Sequence, residues 1–270
     1  MGHNDFGSRG RTSRGKKMRN SKRKNNELRP ITILPHYLEV ADGSAFIELG
    51  NNKIIVAATI EDKIPHFMKG SGKGWITAEY AMLPRSTDRR NIRERNQGRT
   101  SGRSQEIQRL IGRALRTVVD MSLLGERTII IDCDVIQADG GTRTASINGA
   151  CIALALALQH MMNKGTIDTM PLTNLIAAIS VGIVDGRPLL DLDYSEDSQA
   201  ETDMNVVMTD TGRFIEIQAS AEKTPLSKEE FNQLLSLSAE GLEKIIDYEK
   251  NILKNESMLF MAYGNNRGNK

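Results

Sequence analysis

Residues 147–162 form a helix-length segment that is apolar on nearly every side. A helix of this kind is stable in water only when other elements cover it all round, so the segment predicts a buried central helix. Its longest uninterrupted apolar run, residues 150–158, is far shorter than the roughly 20 residues that span a bilayer. A chain of 270 residues is long enough to cover the helix, as one large domain or as two smaller units packed together.

Short β-type segments lie on both sides of this helix, and turn residues join them into three predicted hairpins. The hairpins comprise residues 46–49 with 54–59, 175–184 with 189–194, and 205–209 with 214–218. A further strand is predicted at 128–136 and an amphipathic helix at 104–123, and a capping box at Ser227 and Glu230 opens a last amphipathic helix. The predicted fold class is α+β, with two similar halves of β-hairpins packed with helices.

The formal net charge of +2 hides a strong segregation, because residues 1–30 carry ten basic and two acidic side chains. Residues 1–26 contain too few apolar side chains to fold, so we expect a disordered basic arm, of which 1–17 precede a second possible start at Met18. The expected domain is 27–255 and the C-terminal tail 256–270. Two cysteines, four histidines and no CxxC pattern support neither zinc nor disulfides, and we expect a cytoplasmic protein without a membrane partner.

Residues 85–103 contain seven arginines, no lysine and two acids. Guanidinium groups bind phosphate oxygens with two parallel hydrogen bonds, so this arginine segment predicts a polyanionic partner. A solvated loop or a belt of salt bridges between subunits is the alternative.

A second pattern joins the strand at 128–136 to the buried helix through Asp139-Gly140-Gly141-Thr142-Arg143. Glycines let an anion approach the backbone, and the N-terminus of a helix attracts negative charge. The junction predicts a site for a small anion, although an ordinary glycine turn with a threonine cap would look the same. It lacks the spacing and the lysine of a nucleotide-binding P-loop.

The third pattern is acidic, with seven carboxylates against one arginine over residues 185–203. Such a cluster suits a hard cation such as Mg²⁺ and a general acid. Asp185 is expected in a turn, and Asp191 and Asp193 alternate along a predicted strand, where the alternative to a role in the cluster is that they face water. Asp197 and Asp203 flank a polar loop in which side chains can converge. The arginine segment, the small-anion site at residues 139–143, called the anion cradle below, and the carboxylate cluster together favour phosphoryl transfer.

The chain also resembles the ribonuclease PH family of bacteria, from about residue 19 to about residue 255. The resemblance rests on residues 74–80 (GWITAEY), 82–85 (MLPR), 102–110 (GRSQEIQRL), 132–146 (DCDVIQADGGTRTAS) and 201–206 (ETDMNV). The sequence differs from the family's usual pattern at Lys22, where a glycine is usual, and at Ala219-Ser220, where Gly-Thr is usual.

This resemblance implies a phosphate-dependent 3′→5′ exoribonuclease that removes nucleotides beyond the CCA end of precursor tRNA as nucleoside diphosphates. It also implies a homohexameric ring, a trimer of dimers. Inorganic phosphate would be the co-substrate and Mg²⁺ the metal. The implied site residues are Arg103, Gly141, Thr142 and Arg143 for phosphate, Arg85, Arg90 and Arg93 for RNA, and Asp197 and Asp203 for the metal and the acid.

Overall fold

The computed structural model describes residue 19 and residues 21–256, and its first half builds a five-stranded sheet. Strand β4 is parallel to β5, and the other neighbouring strands are antiparallel, in the order β1-β2-β3-β5-β4. Helix α1, Gly102–Arg116, packs against β4. The strands are β1 Ile31–Pro35, β2 Gly43–Leu49, β3 Asn52–Glu61, β4 Trp75–Met82 and β5 Thr128–Gln137.

The second half builds a four-stranded antiparallel sheet in the order β7-β6-β8-β9. The 28-residue helix α4, Lys228–Asn255, packs on this sheet and begins at the predicted capping box of Ser227 and Glu230. A four-residue helix, α3, lies between β7 and β8. The bounds are β6 Ile176–Val184, β7 Arg187–Leu190, α3 Tyr194–Asp197, β8 Thr202–Thr209 and β9 Phe214–Ala221.

Helix α2, Thr142–Asn163, lies between the two sheets and is the predicted central helix. It packs on β2 and β3 on one side and on β6 on the other. Every residue of β6 is buried, because α2 covers one face of this strand and α4 the other. Within the described residues α2 is the helix long and apolar enough to cross a membrane, but 83% of its apolar window is buried inside the protein. The helix is therefore a core element.

Two predicted elements end earlier than expected. The helix predicted to residue 123 ends at Arg116, and Thr117 closes it by donating its hydroxyl to the Ala114 carbonyl at 2.7 Å. Val118 and Val119 are buried all the same, and Val119 pairs with Leu172 as an isolated β-bridge. The strand predicted over 189–194 corresponds to β7, which begins at Arg187 and already ends at Leu190. In both places burial of the apolar residues continues while the regular backbone does not.

The predicted basic arm lies largely outside the described residues, but its last part is described. Arg19 is 4% exposed and pairs with Glu196 on α3, with Nη2 2.5 Å from Oε2. Arg23 donates to the Asp191 backbone carbonyl at 3.0 Å. The end of the segment predicted as disordered therefore packs beside α3, because it pairs with acids far away in the sequence. All but Glu256 of the predicted tail lies outside the described residues.

Candidate active site

The junction between β5 and α2 is the glycine turn that the sequence predicted. Gly140 and Gly141 have φ angles of +66° and +69°, in the region that favours glycine. Gly141 is the N-cap of α2, and no side chain caps the helix there. The first turn of a helix leaves its N–H groups without intrahelical partners, so this end of α2 offers donors to an anion.

The hydroxyl of Thr142 is held by Tyr80, which comes from β4. The two oxygens lie 2.8 Å apart in a buried hydrogen bond. Burial raises the pKa of the Tyr80 phenol, so it stays neutral beside the anion site. Tyr80 therefore fixes the first residue of α2 without adding negative charge.

Two arginines come to the same place from different helices. Arg103 lies in the first turn of α1, and Arg143 is the second residue of α2. Arg143 donates from Nη1 to Gln218 Oε1 at 2.8 Å and lies 3.4 Å from Glu106 Oε1. The Gln218 amide donates in turn to Glu106 Oε1 at 3.2 Å. This pair holds the Arg143 guanidinium in place.

The two carboxylates predicted to act are Asp197, the last residue of α3, and Asp203, the second residue of β8. Burial raises the pKa of Asp197, opposed by the positive charges of Arg103 and Arg143. Burial, together with the charge of Asp197, raises the pKa of Asp203 to about 6. Asn205 donates to Asp203 Oδ2 at 3.1 Å. Asp203 thus holds a proton at a pH nearer neutrality than an ordinary aspartate does.

These groups meet at one small cavity of about 50 Å³ between the first turns of α1 and α2 and the strands of the second sheet. Six of the nine predicted site residues line it. Sequence reasoning missed two others, Ser180 on β6 and Asn205 on β8, both of which are buried. A buried polar residue within an apolar strand is the signal that could have identified them, since such groups need a partner or a ligand. The lining residues are Arg103, Gly141, Thr142, Arg143, Ser180, Asp197, Asp203 and Asn205.

The donor set at this cavity fits a magnesium ion. Asp197 raises the pKa of Asp203, so the two acids repel each other when ionised, and a cation would relieve that repulsion. Mg²⁺ is commonly held by one or two carboxylates, with waters and substrate phosphates completing its shell. Among the described residues no group of three or more histidine, cysteine or acidic side chains forms a fuller set of ligands.

The three arginines predicted to bind RNA are not among the residues that line the cavity. Arg85, Arg90 and Arg93 are exposed in the loop between β4 and α1. This loop is tied to the site's backbone, because the Ala138 N–H donates to the Ser86 carbonyl at 2.9 Å, just before the glycine pair. Its other end leads into Arg103. The loop that carries the three arginines is therefore tied to the backbone before the glycine turn at one point and joined to Arg103 at its end.

Two acids that the sequence placed on a predicted strand have other positions. Asp191 is 1% exposed, has a φ of +55° and accepts hydrogen bonds from Arg29. Asp193 is the N-cap of α3 and accepts from the Glu196 N–H at 3.0 Å. The alternative that both face water is wrong for Asp191, because its partner lies 162 residues away in the sequence.

The chain matches two family models, "3′ exoribonuclease family, domain 1" over residues 27–158 and "3′ exoribonuclease family, domain 2" over residues 174–241. It is 57% identical over 227 residues to a ribonuclease PH from Moorella thermoacetica, covering 84% of this chain and 91% of the relative.

Solved structures share the fold at much lower identity. Rice (Oryza sativa) Rrp46 gives a TM-score of 0.71 at 21% identity over 87% of this chain and all of that one. A chain from an Archaeoglobus fulgidus exosome solved with RNA bound to the active site gives 0.73 at 22% identity, over 86% of this chain and 92% of that one. The fold, the two domain matches and the close relative agree, and the chain belongs to the ribonuclease PH family of 3′ exoribonucleases.

Proposed function

We propose that this protein is a phosphorolytic 3′→5′ exoribonuclease, with residues 27–255 as its catalytic domain. It uses inorganic phosphate to remove nucleotides beyond the 3′-CCA of precursor tRNA, releases nucleoside diphosphates, and adds nucleotides to RNA in reverse. The observation that carries the proposal is one cavity lined by two arginines, a helix N-terminus and two half-buried aspartates. Family membership and 57% identity to a ribonuclease PH support it.

In this mechanism the anion cradle holds the attacking phosphate. Arg103, Arg143 and the N–H groups at the start of α2 offset the repulsion between free phosphate and the last phosphodiester of the RNA. An oxygen of the bound phosphate attacks the phosphorus of the terminal nucleotide. The bond from that phosphorus to the 3′-oxygen of the penultimate nucleotide breaks, and the terminal nucleotide leaves as a diphosphate.

The leaving 3′-oxygen needs a proton, and Asp203 is the donor we propose. In the metal-free site its raised pKa lets the carboxyl group keep a proton close to neutral pH. Asp197 and Asp203 are also the residues that would hold Mg²⁺, which when bound supplies positive charge to the phosphate oxygens. Asn205 orients Asp203 by donating a hydrogen bond to its carboxylate.

The exposed arginines Arg85, Arg90 and Arg93 bind the RNA strand on its way to the cavity. We propose that the chain forms a homohexameric ring, a trimer of dimers, in which the arginine segments of neighbouring subunits share one surface. The buried free thiols of Cys133 and Cys151 suit a reducing cytoplasm.

Product analysis tests the function directly. A tRNA with a short 3′ extension, incubated with the protein, phosphate and Mg²⁺, is expected to lose the extension as nucleoside diphosphates, and no turnover is expected without phosphate. Chromatography of the released nucleotides distinguishes diphosphates from monophosphates. Monophosphates released in phosphate-free buffer would identify a hydrolytic nuclease, and binding without any release would identify an RNA-binding ring subunit.

Replacing Arg85, Arg90 or Arg93 by alanine is expected to weaken RNA binding and to lower its salt dependence. Each lost contact to a single-stranded phosphate lowers the slope of log K against log salt by about 0.7. Fluorescence anisotropy with single-stranded RNA at several salt concentrations measures the slope, and Lys244→Ala on the exposed side of α4 is the control. A slope identical to that of the unmodified protein assigns these arginines to protein salt bridges instead.

A further inference from the structure

Behind the cavity lies a buried pair, Arg29 and Asp191, which contacts both halves of the site without lining it. We propose that this pair is a positioning device that holds the anion cradle and α3, the helix bearing Asp197, in a fixed position relative to each other. The inference rests on the proposed phosphorolysis and adds two residues to it.

On the cradle side, Arg29 binds the backbone just before the glycine turn. Its Nη1 donates to the Asp139 carbonyl, and its Nη2 donates to the Gly140 carbonyl at 3.3 Å. A Cβ atom on Gly141 would lie 3.2 Å from Nη2, so the guanidinium lies directly against the turn. An anion site needs carbonyls turned away and N–H groups turned toward the ligand. Arg29 thereby holds two consecutive carbonyls away from the anion, and Asn52, whose amide donates to the same Gly140 carbonyl at 2.5 Å, shares this role.

On the side of the site that carries Asp197, Asp191 accepts three hydrogen bonds from this one arginine. The donors are the Arg29 N–H at 2.7 Å to Oδ2, Nε at 3.0 Å to Oδ2, and Nη2 at 2.7 Å to Oδ1. The backbone N–H of Asp191 donates to the Ser180 carbonyl at 2.7 Å, beside the cavity. A two-point guanidinium–carboxylate pair fixes orientation as well as distance.

The same short region carries α3 and therefore Asp197. The Tyr194 N–H, at the start of α3, donates to Asp139 Oδ1 at 3.2 Å. A Cβ on Gly140 would lie 2.7 Å from the Tyr194 nitrogen, so the cradle backbone packs directly against the start of α3. Arg29, Asp139 and Asp191 therefore connect the backbone of the phosphate loop with the backbone that leads to the acid.

The backbone at Asp191 supports a specific role for this carboxylate. Its φ of +55° is one that few residues other than glycine, asparagine and aspartate adopt. Removing Arg29 would leave the buried Asp191 carboxylate with only the more distant guanidinium of Arg23, 3.4 Å away, so the buried charge depends mainly on Arg29. Strained backbone and a buried ion pair directly behind a reaction site are the features expected of residues that hold catalytic groups in place.

Arg29→Lys is the principal test. Lysine keeps the positive charge beside Asp191 but lacks the planar fork that reaches two carbonyls, so the cradle is expected to loosen. The loosened cradle is expected to raise both the KM and the dissociation constant for phosphate by about a hundredfold, with the KM for RNA unchanged. Steady-state phosphorolysis at varied phosphate gives the KM, and calorimetric titration with inorganic phosphate gives binding without turnover.

The matched control is Arg116→Lys, at the far end of α1. Arg116 also donates to a backbone carbonyl, that of Ile76 at 2.7 Å, and it stacks on Trp75. This variant is expected to lower thermal stability without changing phosphate affinity. Asp191→Asn, which suits the same left-handed backbone, is the second probe of the pair and is expected to weaken phosphate binding as Arg29→Lys does.

Unchanged phosphate affinity in a folded Arg29→Lys or Asp191→Asn protein would overturn the positioning role and leave the proposed function intact. If neither variant folds, the pair is a requirement of folding and the positioning role is likewise overturned. An unmodified protein that binds phosphate but shows no phosphate-dependent turnover would instead contradict the proposed function, while the calorimetric comparison would still decide the role of the pair.

Discussion

Asp203→Asn is expected to lower kcat for phosphorolysis by about a thousandfold while making the metal-free protein more stable at pH 8. The loss of activity follows from removing the proton donor that we propose for the leaving 3′-oxygen. The gain in stability follows from the environment of Asp203, because burial and the charge of Asp197 raise its pKa to about 6. The same substitution is thus expected to lower the reaction rate and to raise the stability of the fold.

The sign of the pH effect follows from that shift. The ordinary pKa of this aspartate is 3.8, so the folded state binds its proton more tightly than the unfolded chain does. The contribution of Asp203 to the free energy of unfolding is therefore most favourable below about pH 4 and falls as the pH rises toward 6. Above that pH the cost is fully present, at up to about 3 kcal/mol for a shift of this size. Asparagine cannot ionise, so the variant avoids this cost.

Denaturant unfolding between pH 4 and pH 8, in buffer without phosphate or divalent metal, measures the effect. The free energy of unfolding of Asp203→Asn is expected to exceed that of the unmodified protein at pH 8, and the two are expected to converge toward pH 4. Asp247→Asn, on the exposed side of α4, serves as the control for charge removal alone. A variant that is less stable at pH 8, or one that retains turnover, contradicts the assignment.

Local patterns in the sequence predicted most of the fold, because each depends on neighbouring residues. Short β-type runs bounded by turn residues identified the strands, and the apolar segment at 147–162 identified α2, which extends over Thr142–Asn163. The glycine pair before Thr142 predicted the turn at the start of that helix. The helix predicted to residue 123 was too long because Val118 and Val119 continue its apolar spacing, although they are buried through a turn and a β-bridge instead.

Long-range pairing is the part that the sequence did not predict. Asp191 is one of seven acids in a short stretch, and only the fold brings it against Arg29, 162 positions earlier. Ser180 and Asn205 were missed for a similar reason, since each lies in a strand recognised by its apolar neighbours. A residue's role at this cavity depends on which elements meet there, and that is a property of the packed sheets and helices.

Arg143→Ala is expected to reduce phosphorolysis by roughly a hundredfold to a thousandfold while RNA binding persists. The guanidinium lies at the start of α2, lines the cavity beside Gly141 and Thr142, and is held by Gln218 and Glu106. Removing it takes away a preorganised positive charge from the place where, in the proposed mechanism, two phosphate groups approach each other. In the proposed function, RNA binding depends instead on the exposed arginines of the loop before α1.

Phosphorolysis assays at varied phosphate, paired with anisotropy measurements of RNA affinity, test this separation. Arg213→Ala, in the exposed turn between β8 and β9, is the matched control and is expected to behave as the unmodified protein does. Gln218→Ala is expected to lie between the two, because Arg143 then keeps its charge but loses the amide that holds it at 2.8 Å. Equal losses of RNA binding and turnover in Arg143→Ala would contradict the assignment, since Arg143 would then bind the RNA strand and the phosphate site would need another cation.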